Sequence, residues 1–294
     1  MAFLLGCIGV LMFSFSLPAT RLAVEQLDPV VVGVGRAVVA GALAAALLAL
    51  LRQPRPRRDQ LPGLALVGLG VVVGFPLLTA LALERLTSSH GAVVIALLPA
   101  ATAAWAVARA GERPGRGFWL ASAGALAAVL VFSATRGAGL PTGSDWLLLG
   151  AVVVCSLGYA EGGVLGRELG GWQTICWALV LALPVTATVS LPFAIGGDLS
   201  GGTGAWIGFA YVCLFSMFLG FFAWYAGLAR GGVAKIGQIQ HAQPILTLVW
   251  SALALGEIIT VGTVAAAASV LVFVFATQRA RVGNRPTPLV ASPQ

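Results

Sequence analysis

The sequence predicts an all-α integral membrane protein: ten transmembrane helices built as a five-plus-five inverted repeat around a central cavity. Three observations predict it. The chain is 59% hydrophobic and 9% charged, and a water-soluble globule of that composition would expose large apolar areas. Its apolar runs of about 20 residues match a ~30 Å hydrocarbon core at ~1.5 Å rise per residue. The two halves of the chain also repeat one another.

The repeat is carried by two stretches. Pro99 to Gly117 reads PAATAAWAVARAGERPGRG, and Pro244 to Gly262 reads PILTLVWSALALGEIITVG. Pro99/Pro244, Thr102/Thr247, Trp105/Trp250, Gly111/Gly256, Glu112/Glu257 and Gly117/Gly262 coincide at one offset, 244 − 99 = 145. Leu83/Leu228 and Arg85/Arg230 extend it upstream, and Ala121/Ala266, Leu126/Leu271 and Val129/Val274 downstream. Such self-similarity organises every later reading of the chain.

In chain order the spans are 3–20, 30–51, 62–82, 89–109, 117–135, 146–166, 171–193, 205–228, 234–254 and 258–278. Backbone groups in lipid must be bonded within their own segment, so each is a helix. The first lacks a positively charged leader and reads as a retained span, not a signal peptide. Residues 1–136 form the first repeat, 146–278 the second, and 279–294 a basic tail with Pro286, Pro288 and Pro293. Small residues recur four apart in spans five and ten (Gly117, Ala121, Gly124, Ala128; Gly262, Ala266), spacing suited to close packing or to a homodimer.

Orientation follows from the basic residues. Of 17 Lys and Arg, all but Arg21, Arg36, Arg85 and Arg136 lie on the even-numbered links or the tail. Both termini are therefore expected in the cytoplasm, in the cytoplasmic (inner) membrane. The bilayer, not a nucleic acid, accounts for the excess of seven positive charges. Five spans per unit is an odd number, so the second unit enters the membrane inverted, an arrangement that surrounds a midplane site in many transporters. Trp119, Trp146, Trp172 and Trp206 fall near span starts, as interfacial anchors do.

Pro99 and Pro244 lie about ten residues into spans four and nine, hence about 15 Å deep. Each displaces the carbonyl four residues earlier, those of Ile95 and Gln240, giving either plain packing kinks or paired hinges. Span nine is unusually polar. Gln240, Gln243 and Thr247 share one helical face, and Gln238 and His241 another. Polar groups at this depth face the bundle interior or a wet cavity. Glu161 in span six is open to substrate contact, proton coupling or a structural ion pair, with Arg167 near along the helix. Arg36 in span two is a candidate for holding a carboxylate, or snorkels to the surface. Ser14, Phe15, Tyr159, Trp177, Trp224 and Tyr225 could wall a cavity. Gly111-Glu112 and Gly256-Glu257 read as helix caps, glycine ending one helix and glutamate complementing the dipole of the next.

Cys7, Cys155, Cys176 and Cys213 lie apart within apolar runs and read as small buried side chains, with no metal or cofactor site implied. No HExxH, GxSxG or Walker loop occurs, and the two histidines, His90 and His241, are in different spans. An intramembrane enzyme or lipid-handling protein is the competing class, and it lacks a constellation to carry it.

With its ten spans, its duplication, and QPILTLVWSALALGE (Gln243–Glu257) echoed by LPAATAAWAVARAGE (Leu98–Glu112), the chain resembles an EamA-type member of the drug/metabolite transporter superfamily over nearly its whole length. The resemblance implies a basket-like bundle around a central cavity. It also implies export of small metabolites such as amino acids by alternating access, and it does not fix a coupling ion.

Overall fold

Six of the ten predicted spans are not uniform α-helices in the computed structural model, which describes residues 1–110, 115–136, 140–197, 199–231 and 236–282. Proline sits at or beside four of the irregularities. The first segment breaks at Phe15, between helices Ala2–Ser14 and Ser16–Val24, because Pro18 has no N–H to offer the Ser14 carbonyl. The third widens to π geometry over Gly68–Gly74, just before Pro76. The fourth is split into Ser88–Ile95 and Leu98–Ala110 by a turn at Ala96 and Leu97, with Pro99 in the first turn of the second helix. The ninth opens as a 3₁₀ turn, Gly237–His241, before the helix Ala242–Leu255 that carries Pro244. Two further π stretches, Val31–Gly35 and Val212–Leu219, lie in the second and eighth segments.

Among the described residues all regular structure is helical. Eight helices there are long and apolar enough to cross a membrane: Ala2–Val24, Val31–Leu50, Arg58–Leu83, Ser88–Trp105, Arg116–Thr135, Gly143–Glu168, Gly171–Gly196 and Thr203–Gly231. A shorter apolar helix, Val261–Ala276, corresponds to the tenth predicted span. The ninth is described from Ile236 onward, as the 3₁₀ turn Gly237–His241 and the 14-residue helix Ala242–Leu255. The Gly111-Glu112 pair, Lys235 and residues 283–294 lie outside the described residues.

Packing follows the duplication. The first segment packs on the eighth and the third on the sixth; the second meets the seventh, the fourth the ninth, and the fifth the tenth. Exchanging segments one to five with six to ten returns the same set of pairs. The fifth and tenth meet through their small residues, where a Cβ on Gly124 would fall 2.6 Å from the Phe273 ring. Of the four tryptophans expected near span ends, Trp119, Trp146 and Trp206 are exposed and Trp172 is half-buried.

The third and sixth segments approach most closely at Gly70 and Gly158. A Cβ on Gly70 would overlap the Val154 carbonyl oxygen and lie 3.0 Å from the Gly158 backbone. Neither neighbour is a flexible side-chain tip. Gly70→Ala is therefore expected to cost about 1–3 kcal/mol, read as a lower unfolding midpoint in detergent. Gly237→Ala, where a Cβ meets nothing within 4 Å, should leave the midpoint unchanged.

Candidate functional site

Arg36 opens the regular part of the second segment, directly after its π stretch, and its side chain is only 2% exposed. The guanidinium is turned into the bundle, so it does not snorkel. It donates from Nε to the Gly33 carbonyl (3.3 Å) and from Nη2 to the Pro76 carbonyl (2.9 Å). The second bond is possible because Gly33 lets segments two and three touch, a Cβ there falling 2.8 Å from the Leu77 Cα. Among the described residues no carboxylate pairs with Arg36. All three π stretches reach this point: Arg36 follows one, Val71 belongs to the second, and Ser216 and Met217 to the third. They border a cavity of about 20 Å³ that is also lined by Phe13, Ser16, Cys155, Tyr159, Phe221 and Gln243. Ser16 Oγ and Ser216 Oγ are 2.7 Å apart beside it.

A second cavity, of about 10 Å³, shares Leu17 and Gln243 with the first and is lined further by Ala92, Ile95, Gln240, Pro244 and Thr247. Each holds about one water molecule. Neither cavity, as described, has room for a metabolite. Gln240 Nε2 and Gln243 Oε1 are buried without a hydrogen-bond partner. Thr247 is engaged: its hydroxyl donates to the Ser14 carbonyl (2.7 Å), the group that Pro18 leaves without its helical donor. Trp250 Nε1 donates to Ser14 Oγ (3.0 Å), tying the broken first segment to the ninth.

The other sequence candidates distribute around this centre. Tyr159 lines the Arg36 cavity, its ring 5.8 Å from that of Trp224 and 6.4 Å from that of Phe13. His241 stacks on Phe275 at 4.3 Å, toward the tenth segment. The Gln238 side chain lies outside the described residues. Glu161 is buried against Gly63, while Arg167 is exposed a turn and a half further along the helix. Trp177 is half-buried and lines neither cavity. The four cysteines are free.

Gly256 ends the ninth segment in the left-handed conformation (φ 64°), as a glycine cap does. Glu257 departs from its expected role. Its carboxylate accepts from Ser88 N (2.8 Å), Ser88 Oγ (2.9 Å) and Ser89 N (2.8 Å), so it caps the fourth segment and not the tenth. A carboxylate satisfies orphan amides wherever a helix start comes within reach, and the pairing of segments four and nine brings this one. One residue on, His90 Nε2 lies 2.7 Å from Asp145 Oδ1, and Asp145 Oδ2 accepts from Thr142 N and Oγ1 (both 2.7 Å). A polar chamber of about 150 Å³ lies between, bounded by Thr87, Ser89, His90, Phe132, Glu257 and Thr263. Sequence reasoning missed this cluster. The Thr142/Asp145 capping box and the polar run from Thr87 to His90 were the signals available.

The fold is that of a helical membrane protein with a buried polar centre. The chain belongs to the EamA-like transporter family, whose profile matches residues 1–134 and 142–277. It is 48% identical over 274 residues, covering 93% of this chain and 96% of the relative, to an "Uncharacterized transporter YdeK" of Bacillus subtilis (strain 168). It is 25% identical over 253 residues to a "Probable terminal-alkyne amino-acid exporter" of Streptantibioticus cattleyicolor, covering 85% of this chain and 84% of that protein. A solved structure titled "Crystal structure of protein" shares the fold, with a TM-score of 0.66 at 18% identity over 97% of this chain and 99% of that one.

Glu257→Ala removes the acceptor of three hydrogen bonds at one helix start. The expected cost is about 1–2 kcal/mol, measured as a fall in unfolding midpoint, with Glu257→Gln intermediate because an amide oxygen still accepts.

Proposed function

We propose that this protein is a secondary transporter that exports small metabolites, amino acids or related compounds, across the cytoplasmic membrane. It works by alternating access between two inverted five-span units, residues 1–136 and 146–278, with both termini in the cytoplasm. The observation that carries the reading is the buried Arg36 beside Gln240 and Gln243, at the meeting point of segments that are broken or widened at that depth. Polar and charged groups in lipid are costly and mark substrate paths, and wide helical turns recur at functional sites.

Inversion is supported by the contacts between links. Arg21 and Gln26 of the first link reach the third and seventh, at Glu84 and Gly202, while Glu257 of the ninth reaches Ser88 at the third. Arg57 and Gln60 of the second link reach Glu168 at the sixth. Odd links meet odd and even meet even, as alternate crossings require. The relative named as an amino-acid exporter supports the substrate class. Gln240, Gln243, Thr247, Arg36 and Tyr159 are the residues proposed to contact substrate, with Pro99 and Pro244 as hinges. Spans five and ten, which meet within one chain, also offer outward surfaces for a homodimer.

Two measurements test this. Everted vesicles should show saturable, substrate-selective movement with no chemical change in the solute. Gln240→Ala or Gln243→Ala should lower that movement several-fold at unchanged membrane abundance; a matching loss of folded protein would return both residues to packing. Accessibility labelling should find Glu112 and Glu257 on opposite sides of the bilayer, and labelling on one side would end the inverted reading.

A further inference from the structure

We infer that the Arg36 site selects cargo with one net negative charge, a monocarboxylate with an apolar body, over a zwitterion of the same shape. The inference rests on the transport reading above and concerns which member of its substrate class fits. Arg36 is the one charged residue lining either central cavity among the described residues. A guanidinium carries five N–H donors, and two of its nitrogens are occupied, by the Gly33 and Pro76 carbonyls. Gln240 Nε2 adds a buried side-chain donor without a partner, and Gln243 Oε1 is the one unpartnered side-chain acceptor lining these cavities among the described residues. Among the side chains lining the two cavities, full positive charge stands without full negative charge.

The acids lie elsewhere. Glu161 sits against Gly63, and Asp145 and Glu257 hold the first turn of the fourth segment; none of the three lines either cavity. A monoanion bound at Arg36 makes the site neutral. A zwitterion also presents its carboxylate there, but brings an ammonium that meets only uncharged groups: the Gln243 amide oxygen, the Ser16 and Ser216 hydroxyls, and the rings of Phe13, Tyr159 and Phe221. Ions removed from water without a partner are strongly disfavoured. Phe13, Phe75, Met217 and Phe221 supply the apolar wall for the body of the cargo.

Leucine and 4-methyl-2-oxopentanoate share a carbon skeleton and differ in the group on the second carbon, so they separate charge from shape. Purified full-length protein in proteoliposomes is assayed for uptake of each radiolabelled solute. The oxo acid is expected to half-saturate at a concentration about tenfold or more below that of leucine. Arg36→Lys, which keeps the charge, should preserve the order of preference, and Arg36→Gln should abolish it. Leucine carried as well as or better than the oxo acid overturns the charge inference and leaves the transporter reading standing. Failure to move either solute or any of the amino acids removes the transporter reading, and this inference with it. If Arg36→Gln does not fold, the wild-type ratio and the lysine variant still decide.

Discussion

A backbone carbonyl that loses its helical donor inside lipid must be given another, and the centre of this molecule is organised by that requirement. Pro18 strands the Ser14 carbonyl, and Thr247 takes it up from a helix more than two hundred residues away in sequence. The carbonyls of Gly33 and Pro76, within and just beyond widened turns, accept from Arg36. Irregular backbone and polar side chains are thus each other's partners. Neither would be tolerable alone at this depth, which is why they occur at one place.

The same logic bears on how the molecule is held together and on the rearrangement that the proposed alternating access needs. A regular helix satisfies itself and depends little on its neighbours. A broken one depends on them, so displacing the ninth segment from the first exposes Ser14 O, and displacing the third from the second exposes Arg36. Rearrangement at this centre is favourable when something else, such as the oxygens of a carboxylate, arrives to take the donors released. In the proposed transport cycle cargo would play that part, at two central cavities that each have room for about one water molecule.

Much of this was legible in the sequence, and what was not has a common cause. Apolar length and the fixed offset between repeats are local or periodic signals, and they located the segments. The face of the ninth segment was readable too, because 100° per residue separates Gln240, Gln243 and Thr247 from His241, and the structure turns the first set to a cavity and the histidine to Phe275. Pro18 and Pro76 were visible, but the donors that answer them were not, since Thr247 and Arg36 are distant in sequence. The π turns left no pattern in the apolar runs of Val31–Gly35 or Val212–Leu219. Glu257 was read as a cap for its own helix because sequence distance was the only distance available. His90 and Asp145, 55 residues apart, were unreadable as a pair for the same reason.

The Glu257 contact also constrains how the protein can drift over generations. Two of its three bonds come from main-chain amides, those of Ser88 and Ser89, which nearly any residue can supply. Because both serines are buried, only small replacements such as alanine leave those two bonds in place, whereas losing the single acid removes all three. The joint thus depends on charge on one side and on small side-chain volume on the other.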